Sequence, residues 1–166
     1  MKKICLVAIV VISFSLKNYA QENSQLTTVL DHYFLLKDAL VKTNAVLASA
    51  KAKDLYTAIQ SVKIEKLNTD THTVWMKMEK ELTEDAEHIH ESNDIAHQRD
   101  HFMNLSKNIY TVIKASKVTE PVYYQFCPMA NKGKGANWLS KEMAIKNPYY
   151  GSQMLSCGRT VETIKQ

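Results

Sequence analysis

Residues 24–117 show the spacing of apolar residues that is typical of amphipathic helices. Between Ser24 and Lys117 the chain has no glycine or proline, and apolar residues recur every three or four positions, a spacing that places them on one face of a helix. Asn44 has the side chain of an N-cap for the second helix, and the third begins near Thr71. The predicted stripes are Leu26, Val29, Tyr33, Leu36 and Leu40; Ile59 and Val62; Trp75, Met78, Leu82, Ala86 and Ile89; and Ile95, Phe102, Leu105, Ile109 and Val112. Four such helices with short connections predict an antiparallel four-helix bundle.

The pattern changes after residue 117. All four glycines and all three prolines of the chain fall between Pro121 and Gly158, and both residue types interrupt helices. Residues 122–126 are β-prone and predict one short strand, while residues 147–151 have the composition of a tight turn. We therefore expect residues 118–166 to form an irregular cap folded against the bundle, and the fold class to be mainly α.

The N-terminus has the pattern of a secretory signal. A basic start at residues 1–3 precedes an uncharged apolar stretch at 4–16, which is too short to span a bilayer. Ala20 followed by polar Gln21 predicts cleavage between them, so we expect a signal peptide at 1–20 and a single mature domain at 21–166. Cys5 lies too early in the apolar stretch to be a lipid-anchored cysteine. The expected location is periplasmic or secreted; the alternative is an uncleaved N-terminal anchor helix.

Export also changes the charge of the chain. The formal net charge is +4 for 166 residues. Cleavage removes Lys2, Lys3 and Lys17 and no acidic residue, which leaves about +1 on the same counting. A chain so close to neutral lacks the basic surface that nucleic-acid binding requires, and no nucleic-acid partner is expected.

Sulfur-bearing residues bracket the predicted cap. Cys127 and Met129 stand near its start, and Met154 and Cys157 near its end. Thiolates and thioethers are soft ligands that select Cu(I) or a similar ion. The alternative is structural, because two cysteines in an oxidising compartment form a disulfide by default and methionines commonly fill gaps in a core. The residues alone leave both interpretations open.

Four of the six histidines cluster between the third and fourth predicted helices, at His88, His90, His97 and His101. His97 and His101 are four residues apart, hence on one helical face, where two neutral imidazoles can chelate a metal ion. A carboxylate also stands three residues before His90 and before His97, the spacing used by carboxylate-bridged di-iron bundles. The first two helices offer no glutamate between positions 22 and 65, which weakens that interpretation.

Other candidate motifs carry less information. Trp138 could cover a bound cation, although a core anchor that ties the cap to the bundle is the favoured interpretation. Gly133-Lys134-Gly135 lacks the strand and the spacing of a phosphate-binding loop. No local motif pairs a nucleophile with a base, so an enzyme is not expected.

Several motifs give the chain a family resemblance. They are residues 127–130 (CPMA), 135–140 (GANWLS), 147–151 (NPYYG), 154–158 (MLSCG), 36–40 (LKDAL) and 98–106 (QRDHFMNLS). With these motifs the chain resembles, over residues 26–164, an uncharacterised domain family common in Bacteroidetes. Its members occur as small secreted proteins and as a C-terminal extension of the periplasmic adaptor subunits of Cus-type heavy-metal efflux systems. The resemblance implies an association with copper or silver but no established activity.

Together the residues and the resemblance predict a periplasmic binding protein for Cu(I) or Ag(I). The expected ligands are Cys127, Met129, Met154 and Cys157, with His97 and His101 as secondary candidates. The protein would sequester the ion or hand it to a periplasmic efflux adaptor. One alternative is a structural or interaction module with a Cys127–Cys157 disulfide and a docking surface of Trp138, Tyr149 and Tyr150. The other is a carboxylate-histidine metalloenzyme.

Overall fold

The computed structural model describes residues 25–116, 118 and 120–165, so the predicted signal peptide and its cleavage point lie outside the described residues. The four predicted helices are confirmed. Residues 25–41 form α1, followed by α2 (Ala45–Gln60), α3 (Thr69–Glu91) and α4 (Ile95–Ala115). A short 3-10 helix, Ile64–Lys66, lies between α2 and α3. Within the described part of the chain, no helix combines the length and apolar character needed to cross a membrane.

Polar side chains cap the N-termini of three helices. Asn44 accepts a hydrogen bond from the main-chain amide of Leu47 at 2.9 Å, which confirms it as the N-cap of α2. Asn68 accepts from the amides of residues 70 and 71, so α3 begins at Thr69, two residues before its predicted start. Asp94 caps α4 in the same way. Each cap satisfies amides at the helix start that have no partner within the helix.

The predicted apolar stripes form the core. Helix α2 packs against α3, α3 against α4, and α4 against the second strand of the C-terminal region. Nearly all stripe residues are buried, and the three that remain partly exposed are Val62, Met78 and Ile95.

Tyr33 joins α1 to the rest of the molecule. Its fully buried ring stacks on Phe102 of α4 with 5.2 Å between ring centroids. Its hydroxyl shares a 2.7 Å hydrogen bond with Ser106 Oγ and accepts one from the main-chain amide of Leu139 at 3.0 Å. Burial raises the pKa of Tyr33. One side chain therefore connects the first helix, the last helix and the C-terminal region.

The C-terminal region is a sheet, and the expectation of an irregular cap is wrong. Strands β1 (Val122–Cys127), β2 (Ala136–Ser140) and β3 (Arg159–Ile164) form an antiparallel sheet in the order β2-β1-β3. The predicted strand at 122–126 is its central strand. The other two were missed because β2 (ANWLS) contains no β-branched residue and β3 meets β1 only across a separation of more than thirty residues.

Two other predictions for this region, for Trp138 and for the turn at 147–151, are confirmed. Trp138 on β2 is completely buried and lies edge-on to Tyr149, which confirms the core-anchor interpretation. The predicted turn at 147–151 is present: Gly151 donates its amide to the carbonyl of Asn147, whose side chain accepts from the amide of Tyr149. Gly151 has a φ of +58°, a conformation that glycine adopts without the strain a side chain would bring.

Candidate functional site

The two cysteines lie in contact. Cys127 is the last residue of β1, and Cys157 stands two residues before β3, so antiparallel pairing of these strands brings them together. Their Sγ atoms are 2.9 Å apart and both thiols are free. Cys127 is completely buried, whereas Cys157 is partly exposed. The hydrogen bond with Cys127, together with burial, raises the pKa of the Cys157 thiol.

Close packing at Gly158 fixes the approach of the two thiols. Gly158 has a φ of +144°, and a Cβ at this position would lie 2.9 Å from the carbonyl oxygen of Phe126 and 2.9 Å from Trp138. The side chain of Asn147 also donates to the carbonyl of Cys157 at 2.9 Å. The chain can therefore pass this close to β1 only with glycine after Cys157.

Both candidate methionines border the thiol pair through main-chain contacts. Cys157 donates its amide to the carbonyl of Met154 at 3.1 Å. The main-chain amide of Met129 donates to the Cys157 thiol. This bond lowers the pKa of Cys157, but the hydrogen bond with Cys127 and burial raise it by more. Tyr150 donates its hydroxyl to the carbonyl of Met129 at 2.7 Å. The side chain of Met129 is 52% exposed and that of Met154 partly buried. The loops that carry the methionines thus flank the partly exposed thiol.

The histidines form a separate cluster between α3 and α4. His88 lies on α3, and His97 and His101 lie on the facing side of α4. Their potential ligand atoms all lie within 4.8 Å of one another. The ring centroid of His101 is 4.6 Å from those of both His88 and His97. His88 and His97 are exposed and His101 is partly buried.

Asp85 supports this cluster. It lies on α3 one turn before His88, and its Oδ1 atom is 2.9 Å from Nδ1 of His101. Asp85 is only 8% exposed. Burial raises the pKa of its carboxyl group, and the hydrogen bond with His101 opposes that change. Asp85 was not among the predicted site residues, although its spacing of three residues from His88 places both on one helical face.

The turn between α3 and α4 is held by Gln98. Its buried side-chain amide donates to the carbonyls of Ala45, Ile89 and Ser92 at 2.9, 3.3 and 2.6 Å. This one group ties the end of α3, the start of α2 and the start of α4 together. It therefore fixes the distance between the helix that carries His88 and the helix that carries His97.

The remaining predicted site features lie elsewhere. His90 faces α2, where its carbonyl accepts a hydrogen bond from Ser49, and the side chain of Asp94 is occupied as the cap of α4. This arrangement does not assemble the carboxylate-histidine pairs of a di-iron bundle. The predicted docking surface of Trp138, Tyr149 and Tyr150 is not present in that form. Trp138 is completely buried and Tyr149 is only 8% exposed.

The histidine cluster and the thiol pair are separate groups. In the described residues, the three histidines are the one group of three or more His, Cys, Asp or Glu side chains within metal-ligand reach, and it contains neither cysteine. The sequence predicted that His97 and His101 would support the sulfur ligands. Among the residues that the structure describes, these histidines do not form one ligand group with the cysteines.

The molecule is thus a helical domain with a small C-terminal sheet and two separate groups of potential metal ligands. It belongs to a family of proteins of unknown function, DUF3347, whose model matches residues 29–121. That range includes Asp85 and the three clustered histidines but ends before β1 and the cysteines. Neither the curated proteins nor the solved structures contain a match to this chain.

Proposed function

We propose that this protein is an exported binding protein for a soft metal ion, Cu(I) or Ag(I), held at Cys127 and Cys157. The observation that supports this function is the contact between the sulfur atoms of Cys127 and Cys157, one buried and one partly exposed. The four helices, arranged as an antiparallel bundle, would be the support on which the sulfur site is carried.

The chemistry of the pair suits a soft monovalent ion. Thiolates bind Cu(I) and Ag(I) more strongly than oxygen ligands do, and a thioether from Met129 or Met154 adds a ligand that cannot be lost to a disulfide. Cys157 gives the ion access from solvent, while burial of Cys127 limits competition by water. The exposed side chain of Met129 offers a first contact for transfer to or from a periplasmic efflux adaptor.

The proposal is tested by anaerobic Cu(I) titration of the exported protein against a chromogenic chelator. We expect one tight site that is lost in Cys157→Ser and weakened in Met129→Leu or Met154→Leu, since leucine keeps the bulk of methionine without its sulfur. Met143→Leu is the matched control, because Met143 is 68% exposed and is not a proposed ligand. Affinity should rise with pH, since the pKa of Cys157 is raised and protons compete with the metal.

A structural role is the second candidate, and the same contact between the thiols favours it. Sulfur atoms this close in an oxidising compartment can be joined by a disulfide. Counting reactive thiols in protein that is purified without reductant and then denatured separates the two functions, since Cys127 is completely buried in the fold. Two reactive thiols would exclude the disulfide. Absence of thiols, or a Cu(I) affinity that Cys157→Ser leaves unchanged, would contradict the sulfur-site proposal.

A further inference from the structure

We propose that His88, His97 and His101 form a second metal site, specific for a divalent first-row ion of intermediate softness such as Zn²⁺, Co²⁺ or Cu²⁺. This site does not rest on the proposed sulfur site. Neutral imidazole is the ligand that suits these ions, whereas Cu(I) and Ag(I) prefer sulfur. The two sites would therefore select different ions within one small domain.

The first argument is geometric. Three ring nitrogens that bind one tetrahedral ion at about 2.0–2.1 Å stand about 3.4 Å from one another. The potential ligand atoms of the three histidines already lie within 4.8 Å of one another. His88 and His97 are exposed, so rotation of their side chains can close that difference. His88 must also turn out of its stacked arrangement with His101.

Asp85 supplies the second argument, because it determines which nitrogen of His101 is available. Its Oδ1 atom lies 2.9 Å from Nδ1 of His101, so an Nδ1 proton on a neutral His101 has the Asp85 carboxylate as its acceptor. That hydrogen bond leaves the Nε2 lone pair of a neutral ring free to bind a metal. A carboxylate that orients a metal-binding histidine in this way is a recurring feature of zinc sites. Asp85 is itself nearly buried, so its position is fixed by packing and not by the ion.

The surroundings of the cluster favour a cation. His88 and His101 line a cleft of about 370 Å³ between α3 and α4, whose walls include the carboxylates of Glu81, Glu84 and Asp85 and one cation, Lys107. The excess of negative charge attracts a divalent ion. Three protein ligands leave a fourth position for water or another ligand, beside a cleft that His88 and His101 line and His97 does not. An ion held there can exchange with solvent or with a partner, as expected of a binding site rather than a closed structural one.

Titration of the exported protein with Co²⁺, and competition of the bound Co²⁺ by Zn²⁺, tests this site. We expect visible d–d absorption without thiolate charge-transfer bands, since the ligands are nitrogens. A protein with both cysteines changed to serine should give the same spectrum and affinity. His97→Gln should reduce affinity at least tenfold, and the double variant His88→Gln/His97→Gln should abolish tight binding.

Two further variants make the result specific. His72→Gln changes a partly exposed histidine in the first turns of α3, outside the cluster, and should leave Co²⁺ affinity unchanged. Asp85→Asn should weaken binding by about 10- to 100-fold while keeping the helical circular dichroism of the wild type, because it loses the group that orients His101.

The outcomes also separate the two proposed sites. Co²⁺ binding that persists in the His88→Gln/His97→Gln variant, or that requires the cysteines, would overturn the histidine site. Unchanged Cu(I) binding in that variant is expected if both sites exist. Loss of Cu(I) binding in a cysteine variant that still binds Co²⁺ would support the sulfur site and would show that the histidine site does not depend on it.

Discussion

The helix pair α3–α4 and the C-terminal sheet both gather potential metal ligands, but they do so over different lengths of chain. The histidine cluster and Asp85 come from residues 85–101, a single helical hairpin. The thiols are thirty residues apart in sequence and meet only through strand pairing. The histidine site therefore depends on local structure, whereas the thiol contact depends on the whole C-terminal region. Damage to the sheet should separate the thiols and leave the histidines in place.

The largest expected effect comes from Trp138→Ala. Removing this fully buried side chain from β2 should lower the free energy of unfolding by about 3–5 kcal/mol, since it leaves a large cavity. Urea unfolding followed by circular dichroism measures the loss, with Trp75 in α3 as the remaining fluorescent reporter. Trp75→Ala is the matched control, because Trp75 is also completely buried.

These two variants test whether the regions fold together. Tyr33 bonds to both α4 and β2, so we expect fluorescence and circular dichroism to report a single transition in each variant. Two separated transitions in Trp138→Ala would instead show that the helices hold without the sheet. A loss below about 1 kcal/mol would contradict the assignment of Trp138 as a core anchor.

Gly158→Ala should have the next largest effect. The added methyl group meets main-chain and ring atoms at 2.9 Å and the backbone has a φ of +144°, so we expect a loss of about 2 kcal/mol. In reduced protein, alkylation of Cys127 should become faster as β3 moves away from β1, while Co²⁺ binding at the histidines should not change. Gly133→Ala is the control: its φ is +84° but nothing lies within 4 Å, so it carries backbone strain without the clash. Equal effects of both substitutions would contradict the role given to close packing at Gly158.

Glu162→Gln should have the smallest effect. Glu162 on β3 accepts hydrogen bonds from Tyr110 and Lys114 of α4 at 2.7 and 2.6 Å. These bonds lower its pKa below the ordinary 4.5. Because the pair is partly exposed, we expect a cost of at most about 1 kcal/mol at neutral pH.

The pH dependence of that cost has a definite sign. A carboxyl group with a lowered folded-state pKa stabilises the protein above its unfolded-state pKa, and this stabilisation is lost as the pH falls through the folded-state value. The difference in unfolding free energy between wild type and Glu162→Gln should therefore shrink below pH 4.5. A difference that stays constant across this range would show that the ion pair does not join the sheet to α4.

Local patterns predicted the helical region well. The apolar stripes gave all four helices, and Asn44 was identified as a cap because its role depends on residues only three positions away. The sheet was only partly predictable, since the pairing of β1 with β3 leaves no periodic signal in the sequence. For the same reason the sequence placed the two cysteines at opposite ends of a cap without showing that they touch.

In the histidine cluster, too, contacts within one helix could be predicted from the sequence and contacts between helices could not. The spacing of His97 and His101 was enough to place both on one face of α4, because a helix relates such positions directly. That His88 faces them, and that Asp85 bonds His101, depends on how α3 packs against α4. Packing between helices is set by the shapes of many buried side chains, which spacing within one helix does not encode.

The position of β1 at the centre of the sheet also sets an order of events during synthesis. A chain that emerges from its N-terminus presents Cys127 before Cys157, and β1 cannot hold the second thiol in place until residues 159–164 have followed and paired with it. During that interval nothing in the sheet holds Cys127 beside Cys157. Under the function proposed above, the two-thiol site would therefore form only once β3 has paired with β1.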